Sequence, residues 1–300
     1  MSLKFKSFAA LALSAAMMFS VAACGTTDSG DAKSDSKAKN TTVGYDVSTI
    51  KKDDELAKLA ASAKTVKDGE LSVGMELSYA PAEFYAEDGK TPVGYDVDMS
   101  KAIAQTLGLK PKIVSSMFDT IVPSIGSKYD LGIAAFTKTP ERAEEIDFSD
   151  LYEKSAQLLI VKTGNADLYS TKESLAGQKV GAQKGTIQSQ LIQSALPDSE
   201  LFELEKYPAL ALEVQNGNIA GLVVDQAVGE SLIATSNGGL EVSNFAFTSE
   251  EASFGKAVVA AKGSEDLLAE VNTVINQVVN DGSYLKAYDE AVELAASMGL

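Results

Sequence analysis

The sequence predicts an α/β protein in which buried strands alternate with amphipathic helices. Short apolar runs typical of buried strands occur at 71–75, 131–135, 179–182 and 221–224. Such alternation is typical of parallel α/β layers, in which ligands bind beyond the carboxyl ends of the strands. With 300 residues, 45% of them hydrophobic, the chain can bury one large core or two ordinary ones.

Helical spacing predicts the intervening helices. The clearest has Met99, Ile103 and Leu107 at four-residue intervals. Asp96 is its expected N-cap, and Gly108 its expected C-terminal stop. Three later helices are expected at about 209–216, 265–280 and 284–296.

The first 24 residues have the pattern of a secretory signal. Lys4 and Lys6 precede an uncharged apolar stretch at 8–21, which is too short for a membrane-spanning helix. Two alanines follow, and then Cys24, the only cysteine in the chain. This order resembles the lipobox of bacterial lipoproteins, so we expect Cys24 to be the lipid attachment site. The alternative is a buried or incidental thiol, since cysteine is often buried.

Charge and composition argue against several classes of function. The net charge is −16, and removal of residues 1–23, which contain two lysines and no acid, would change it to −18. Such acidity disfavours nucleic acid and anionic lipid as partners. The chain has no histidine and one cysteine, so the usual zinc, Ser–His and Cys–His chemistries have no residues to use. We therefore expect no metal, no cofactor and no nucleic-acid partner.

Arg142 is the sharpest local anomaly. Thr139 and Pro140 predict the N-cap and first turn of a helix, which places the guanidinium near the positive end of the helix dipole. A bound anion would satisfy both the guanidinium and the free backbone N–H groups. An ion pair with Glu145 or Asp147 is an equally good explanation at this stage.

Four other positions could face a ligand, and each also has an ordinary explanation. Thr186 is the expected N-cap of a helix after Gly185, which an ordinary βα loop would also show. Asp225 ends a buried strand, where it could hold a cation or cap the next helix. Tyr79, in a Pro-containing loop, could wall a pocket or pack in the core, and Glu76 could face a ligand or solvent.

Taken in order, these segments resemble the family 3 solute-binding proteins of amino-acid ABC transporters. The segment GYDVDM at 94–99 agrees with that family's signature at each constrained position. The resemblance covers about residues 71–290 and implies a two-lobed periplasmic-binding-protein-like α/β fold (type II), with two crossover strands joining the lobes. The other matching segments are 79–81, 135–149, 175–186, Phe254, Gly255, Asn272, Asp281 and Gly282.

The resemblance and the composition together predict the domain organisation. Residues 25–42 are mostly small and polar, as in a solvated linker, and Leu56, Leu59, Ala60 and Ala63 indicate a short amphipathic helix. The expected parts are a signal peptide at 1–23, a flexible tether at 24–43, an N-terminal helical extension at 44–68, lobe 1 at 69–155 and 253–300, and lobe 2 at 156–252.

The family's ligand site can be transferred to this chain by position. The resemblance implies that Arg142 binds an α-carboxylate through a bidentate pair, with added hydrogen bonds from Thr137 and the backbone of Thr186. It implies that Asp225 binds the α-ammonium, assisted by the carbonyl of Ala135. A buried zwitterion needs both charges matched, because an unpaired one costs several kcal/mol.

The remaining positions concern the ligand side chain. Tyr79 and Phe118 would sandwich it, Glu76 and Gln183 would contact its end, and Gln188 also belongs to the expected ligand-binding set. Glu76 favours arginine, lysine, ornithine or histidine first, and glutamine second, because a dicarboxylic ligand would face like charge. Two departures from the family pattern bear on the substrate: Ala134 and Ala135 replace Ser or Gly, and Ile187 replaces a small polar residue.

We therefore expect a lipid-anchored, monomeric receptor on the extracellular face of the cell membrane. It would capture a polar amino acid and deliver it to an ABC permease and its ATPase, without catalysis. One alternative is an enzyme similar to cyclohexadienyl or arogenate dehydratases, with Glu76 as general acid. Another is a surface adhesin or a sensor subunit.

Overall fold

The computed structural model describes Tyr45 and residues 64–300. The predicted signal peptide, Cys24, the tether and residues 46–63 lie outside this part of the chain. Residues 64–68, the end of the predicted helical extension, are not helical, and 66–68 form bends and a turn. No helix in the described part is both long enough and apolar enough to cross a membrane.

Strand signals at 71–75, 179–182 and 221–224 correspond to strands of nearly the same bounds. The predicted parallel pairing is confirmed among them. The strands of the described residues are β1 (Glu70–Met75), β2 (Ser78–Tyr79), β3 (Glu83–Tyr85), β4 (Pro92–Val93), β5 (Lys110–Ser115), β6 (Leu131–Gly132), β7 (Ile146–Lys162), β8 (Lys179–Gln183), β9 (Glu200–Leu204), β10 (Gly221–Asp225), β11 (Leu240–Val242) and β12 (Ser253–Ala261).

Two long antiparallel strands join two groups of parallel strands. The main sheet has the order β5-β1-β6-β12-β7-β10-β8-β9, with β11 also paired to β7. β7 is 17 residues long, pairs with β12 along its first part and with β10 and β11 along its last part, and so runs through both groups. This is the arrangement expected of two lobes connected by crossover strands. The lobe boundaries at 155/156 and 252/253 remain our proposal.

The helices agree with the spacing of apolar residues, and the one predicted at 265–280 has those bounds. Glycine in the left-handed conformation ends the first of them at Gly108, as predicted. The helices are α1 (Tyr95–Leu107), α2 (Phe118–Ile121), α3 (Pro140–Glu145), α4 (Ile187–Ala195), α5 (Tyr207–Asn216), α6 (Gln226–Thr235), α7 (Ser249–Ala252), α8 (Glu265–Asn280) and α9 (Ser283–Met298), with short 3-10 turns at Val122–Ser124 and Glu173–Leu175.

The expected N-cap of α1 and the expected length of β6 are both wrong, and one hydrogen bond connects the two segments. The N-cap of α1 is Gly94 rather than Asp96, whose side chain turns away from the helix end. Its Oδ2 accepts a 3.1 Å hydrogen bond from the amide of Ala135. Ala135 has a φ of 49°, so the extended backbone predicted for 131–135 stops early, and β6 contains only Leu131 and Gly132.

The apolar side chains of the strands and helices lie in buried clusters on both faces of the main sheet. Val73 of β1, Ile103 of α1 and Ile275 of α8 belong to the largest cluster, and each is at most 1% exposed. Val180 and Val223 lie in a second cluster formed largely by β7, β8, β10 and α4. Burial of each such side chain contributes roughly 1.5–3 kcal/mol, which fixes the strand ends that surround the cavity described below.

Candidate functional site

The carboxyl ends of three strands open into one cavity. β8 ends at Gln183, β10 ends at Asp225, and Glu76 directly follows β1; all three side chains line the cavity. The structure brings together all ten predicted ligand-binding residues, which are Glu76, Tyr79, Phe118, Ala135, Thr137, Arg142, Gln183, Thr186, Gln188 and Asp225.

Arg142 lies in the first turn of α3, as predicted. The hydroxyl oxygen of Thr139 accepts a 3.2 Å hydrogen bond from the amide of Arg142, which confirms Thr139 as the N-cap. The alternative explanation, an ion pair with Glu145 or Asp147, does not hold: Asp147 pairs with Lys262 at 2.9 Å, and Glu145 forms no ion pair with Arg142. No carboxylate of the described residues forms an ion pair with Arg142.

The guanidinium is held in place by backbone carbonyls and aromatic rings. Nη1 donates to the carbonyl oxygen of Thr137 at 2.9 Å, and Nη2 donates to that of Gly185 at 3.1 Å. The guanidinium carbon of Arg142, Cζ, lies 5.6 Å from the ring centre of Phe118 and 5.7 Å from that of Phe136. Burial lowers the pKa of Arg142 to about 10, so the group is still a cation at neutral pH. The arrangement presents a fixed positive charge to an anion.

Asp225 occupies the N-cap position of α6, but its side chain makes no capping hydrogen bond. The hydroxyl of Tyr79 donates to Oδ2 at 2.6 Å, and the amide of Gln157 donates to Oδ1 at 2.6 Å. The ammonium of Lys256 lies 3.6 Å from Oδ2. An ionised carboxylate has about four acceptor positions, so Asp225 retains capacity for a further donor.

Gln157 and Lys256 support Asp225, and neither was identified from the sequence. Gln188 of α4 donates at 2.8 Å to the side-chain oxygen of Gln157, so these two amides form a chain that ends on Asp225. Lys256 is 1% exposed and lies 3.0 Å from Glu153 as well as 3.6 Å from Asp225. No local signal in the sequence could have revealed these contacts. The one hint available is that Lys256 directly precedes the apolar run AVVAA at 257–261.

Glu76 is buried, at 3% exposed, so the ordinary expectation of a solvated surface glutamate is wrong. Oε1 accepts a hydrogen bond from the hydroxyl of Ser78, and Oε2 accepts a long one of 3.4 Å from the amide of Gln183. That amide also donates to the carbonyl of Glu205 at 2.8 Å. Burial raises the pKa of Glu76, and these two donors offset part of that rise.

Thr186 is the N-cap of α4, as predicted. Its hydroxyl oxygen accepts from the amide of Ser189 at 3.3 Å and donates to the carbonyl of Gln183 at 2.6 Å. The preceding Gly185 has a φ of 76°, and a Cβ there would lie 2.9 Å from the Cβ of Asp119. The loop between β8 and α4 therefore approaches α2 closely at the edge of the cavity.

The two predicted aromatic walls of the cavity are both present: Tyr79 lies in β2 and Phe118 lies in α2. The ring of Tyr79 lies 5.4 Å from that of Tyr207 in a tilted contact. The ring of Phe118 stacks on Phe136, with 4.8 Å between centres and 25° between planes. Both walls are thus fixed by a second ring, which reduces the entropy lost when a ligand packs between them.

Glu83 is a further carboxylate of the cavity that sequence reasoning missed. It begins β3, is 1% exposed, and lines the same cavity as Glu76 and Asp225. The signal that could have revealed it is an acidic residue between the apolar Ala82 and Phe84. Among the described residues, no group of three or more acidic side chains is arranged to hold a metal ion.

A cavity with matched positive and negative groups, between two groups of parallel strands joined by long crossover strands, defines a two-lobed ligand-binding protein. The model of the bacterial extracellular solute-binding proteins, family 3, matches residues 71–292. The chain belongs to this family, and the relatives that it resembles are amino-acid ABC transporter substrate-binding proteins. The predicted type II periplasmic-binding fold is confirmed.

Relatives of known sequence and structure agree with this assignment. The L-cystine-binding protein TcyJ of Escherichia coli K12 is 31% identical over 228 residues, covering 76% of this chain and 84% of that protein. The amino-acid ABC transporter substrate-binding protein AbpA of Streptococcus pneumoniae Canada MDR_19A, solved with L-arginine, has a TM-score of 0.72 and 30% identity, covering 76% of this chain and 96% of that chain.

A third likeness concerns the enzyme alternative. An ancestral amino-acid-binding protein, described as a precursor of cyclohexadienyl dehydratase, has a TM-score of 0.68 and 30% identity, covering 78% of this chain and 97% of that chain. The likeness is to a binding protein that precedes an enzyme. The family and the matched relatives therefore indicate binding rather than catalysis.

Proposed function

We propose that the cavity binds an L-α-amino acid with a cationic side chain, with arginine, lysine, ornithine and histidine ahead of glutamine. The observation that supports this most directly is the charge of the cavity. Its lining residues include one cation, Arg142, and the two carboxylates of Glu76 and Asp225, together with the carboxyl group of Glu83. A ligand with one carboxylate and two cationic groups complements this set better than a neutral amino acid does.

The main-chain groups of the ligand are matched by Arg142 and Asp225. The guanidinium takes the α-carboxylate in a bidentate pair, and Thr137 and the backbone of Thr186 add hydrogen bonds. Asp225 takes the α-ammonium, with help from the carbonyl of Ala135. Asp225 is 4% exposed, so an unmatched charge beside it would cost several kcal/mol.

The ligand side chain extends between the rings of Tyr79 and Phe118 towards Glu76. Gln183 lies beside Glu76 and contacts the same end of the ligand, and Gln188 acts through the amide chain that supports Asp225. Arginine suits this end because its five N–H donors can satisfy a carboxylate and an amide oxygen together. The L-arginine named for the streptococcal structure agrees with this choice.

L-Cystine, named for the relative TcyJ, is the main competitor as substrate. Its second ammonium could bind Glu76, but its second carboxylate would need a second cation. The cavity lining provides one cation, Arg142, and has the acidic side chains of Glu76 and Glu83 near the end of the ligand. Desolvating an unpaired carboxylate beside them is unfavourable.

Delivery and anchoring are part of the same proposal. We infer that the protein is a monomeric receptor held at the extracellular face of the cell membrane by acylated Cys24, and that it passes its ligand to an ABC permease driven by an ATPase. The signal pattern before Cys24 supports the anchor. A Cys24→Ser variant should appear in the culture medium and incorporate no labelled palmitate. Equal membrane retention of both proteins would contradict the anchor.

A thermal-shift screen of the twenty amino acids, ornithine and cystine tests the substrate proposal. Bound ligand is first removed by unfolding and refolding, because a retained ligand would mask the effect. Arginine, lysine, ornithine or histidine should raise the Tm most, and glutamine less. Prephenate and arogenate are included with product detection. No stabilisation by any amino acid, or turnover of either compound, would contradict the proposal.

A further inference from the structure

Two buried carboxyl groups face each other beside the cavity. Glu83 is 1% exposed and Asp96 is fully buried, and the two side chains lie within hydrogen-bonding reach of one another. Oε2 of Glu83 and Oδ1 of Asp96 are buried, and no donor among the described residues forms a hydrogen bond with either of them. Two ionised carboxylates in contact inside a protein repel strongly, whereas one shared proton satisfies both free oxygens.

The backbone fixes this contact. The amide of Asp96 donates to the carbonyl of Ala82 at 3.0 Å, which places the start of α1 against the residue before Glu83. Gly94 permits the close approach, since a Cβ at that position would lie 2.2 Å from the carbonyl oxygen of Ala82. The backbone segments that carry the two carboxyl groups are therefore held together at the start of α1.

The other oxygen of Asp96 connects the pair to the ligand site. Oδ2 accepts from the amide of Ala135 at 3.1 Å and from the hydroxyl of Tyr152 at 3.0 Å. Ala135 lines the cavity with a φ of 49°, a left-handed conformation that is unfavourable for a residue with a side chain. Asp96 thus binds the backbone amide of Ala135 in this conformation, and Glu83 itself lines the cavity.

We propose that Glu83 retains a proton at neutral pH and donates it to Asp96, and that this pair positions Ala135 for ligand binding. Nothing else in the described residues satisfies both orphan oxygens. Asp96 and Glu83 are positioning residues in this account. The positioning of Ala135 for a ligand rests on the proposed function, whereas the protonation of Glu83 is independent of it.

Electrostatic surroundings support the assignment of the proton to Glu83. Burial, followed by the repulsion of Asp96 and Glu76, raises the pKa of Glu83 well above its ordinary value. Burial also raises the pKa of Asp96, to about 6, although Lys256 favours its charged form. The charged or titratable groups that face the pair from neighbouring elements are Glu76, Glu153, Lys256, Tyr45, Tyr79, Tyr95, Tyr152 and Tyr284.

Infrared spectroscopy of the ligand-free protein tests the proton directly. At about pH 8 an ordinary carboxyl group is ionised, so the wild type should show one band of a protonated carboxylic acid. The band should be missing in Glu83→Gln and present in Glu87→Gln, a control at an exposed glutamate nearby. Absence of the band from the wild type would overturn the proposal, whatever the protein binds.

Stability against pH gives a second test with a definite sign. A carboxyl group whose folded pKa is raised stabilises the fold fully below its unfolded pKa, and this stabilisation is lost as pH rises towards the folded pKa. The Tm of the wild type should therefore fall relative to that of Glu83→Gln between about pH 5 and 8. Glu87→Gln should follow the wild type. A difference independent of pH would contradict a retained proton.

Replacement of Asp96 tests the positioning step. Asparagine can still accept from Ala135 and Tyr152 and can donate to Glu83, so Asp96→Asn should rescue ligand affinity to within about threefold of wild type. Asp96→Ala should lower it at least about tenfold in calorimetry with the amino acid that stabilises the wild type most. Equal affinities of the two variants would refute the positioning role. Failure of the wild type to bind any amino acid would instead refute the proposed function.

Discussion

The hydroxyl of Tyr79 donates a 2.6 Å hydrogen bond to Oδ2 of Asp225, although the two residues are 146 positions apart. Tyr79 belongs to β2, beside the first group of parallel strands, and Asp225 ends β10 in the second group. One contact therefore joins an aromatic wall of the cavity to the carboxylate proposed to bind the α-ammonium. It also orients that carboxylate before a ligand arrives, which lowers the entropic cost of binding.

Removal of the Tyr79 hydroxyl should weaken ligand binding, although the aromatic ring that walls the cavity stays in place. Tyr79→Phe keeps the ring against Tyr207 but loses a hydrogen bond to a charged group, which is worth about 1.5–3 kcal/mol. We expect the calorimetric Kd to rise about tenfold or more. Tyr85→Phe, in the neighbouring β3, is the control and should leave the Kd unchanged. An unchanged Kd in Tyr79→Phe would show that Asp225 needs no orientation.

Arg142→Ala should lower affinity at least about a hundredfold, because it leaves the ligand carboxylate buried without a cation. Arg142→Lys should recover part of the loss, since lysine keeps the charge but not the bidentate geometry. Lys138→Ala, which removes an exposed cation four residues earlier, is the matched control. Tight binding by Arg142→Ala, measured by calorimetry, would show that the carboxylate binds elsewhere.

Glu76→Gln should change specificity more than stability. Loss of the charge should raise the Kd for arginine or lysine about tenfold, while glutamine binds as well as before or better. The ratio of the two affinities, measured by competition, is the informative quantity. Glu144→Gln removes an exposed acid and should not alter the ratio. The same ratio in Glu76→Gln and wild type would leave the cationic preference without a basis in this residue.

The close approach at Gly94 predicts a large difference between two glycine substitutions. Gly94 has a φ of 121°, and an added Cβ would lie 2.2 Å from a carbonyl oxygen, so Gly94→Ala should lower the free energy of unfolding by at least about 3 kcal/mol. Gly89, with a φ of 64°, has open space around it, so Gly89→Ala should cost about 1 kcal/mol. Denaturant titrations measure both. Equal losses would show that α1 can shift away from the loop.

Periodicity in the sequence was sufficient to predict the elements that depend on local patterns. α8 has the predicted bounds, α1 ends at Gly108 as predicted, and Thr139 and Thr186 are N-caps because capping is decided within three residues. β6 was overestimated because the apolar run at 131–135 contains no sign of the left-handed turn at Ala135.

The candidate site was predictable only where a local anomaly or the family resemblance pointed to a residue. Arg142 was such an anomaly, and its ambiguity between an anion and an acidic neighbour was resolved only by the structure. The supports of Asp225 could not be predicted, because Gln157 lies 68 positions from it and pairing at that distance leaves no trace in spacing. The contact between Glu83 and Asp96 is likewise tertiary, set by the start of α1.

The central claim is that one cavity matches both main-chain charges of an amino acid and a third charge on its side chain. A crystal structure with the amino acid that stabilises the protein most tests this claim directly. We predict the α-carboxylate on Arg142, the α-ammonium on Asp225 and the end of the side chain at Glu76. A ligand bound outside this cavity, or with its carboxylate away from Arg142, would contradict the account.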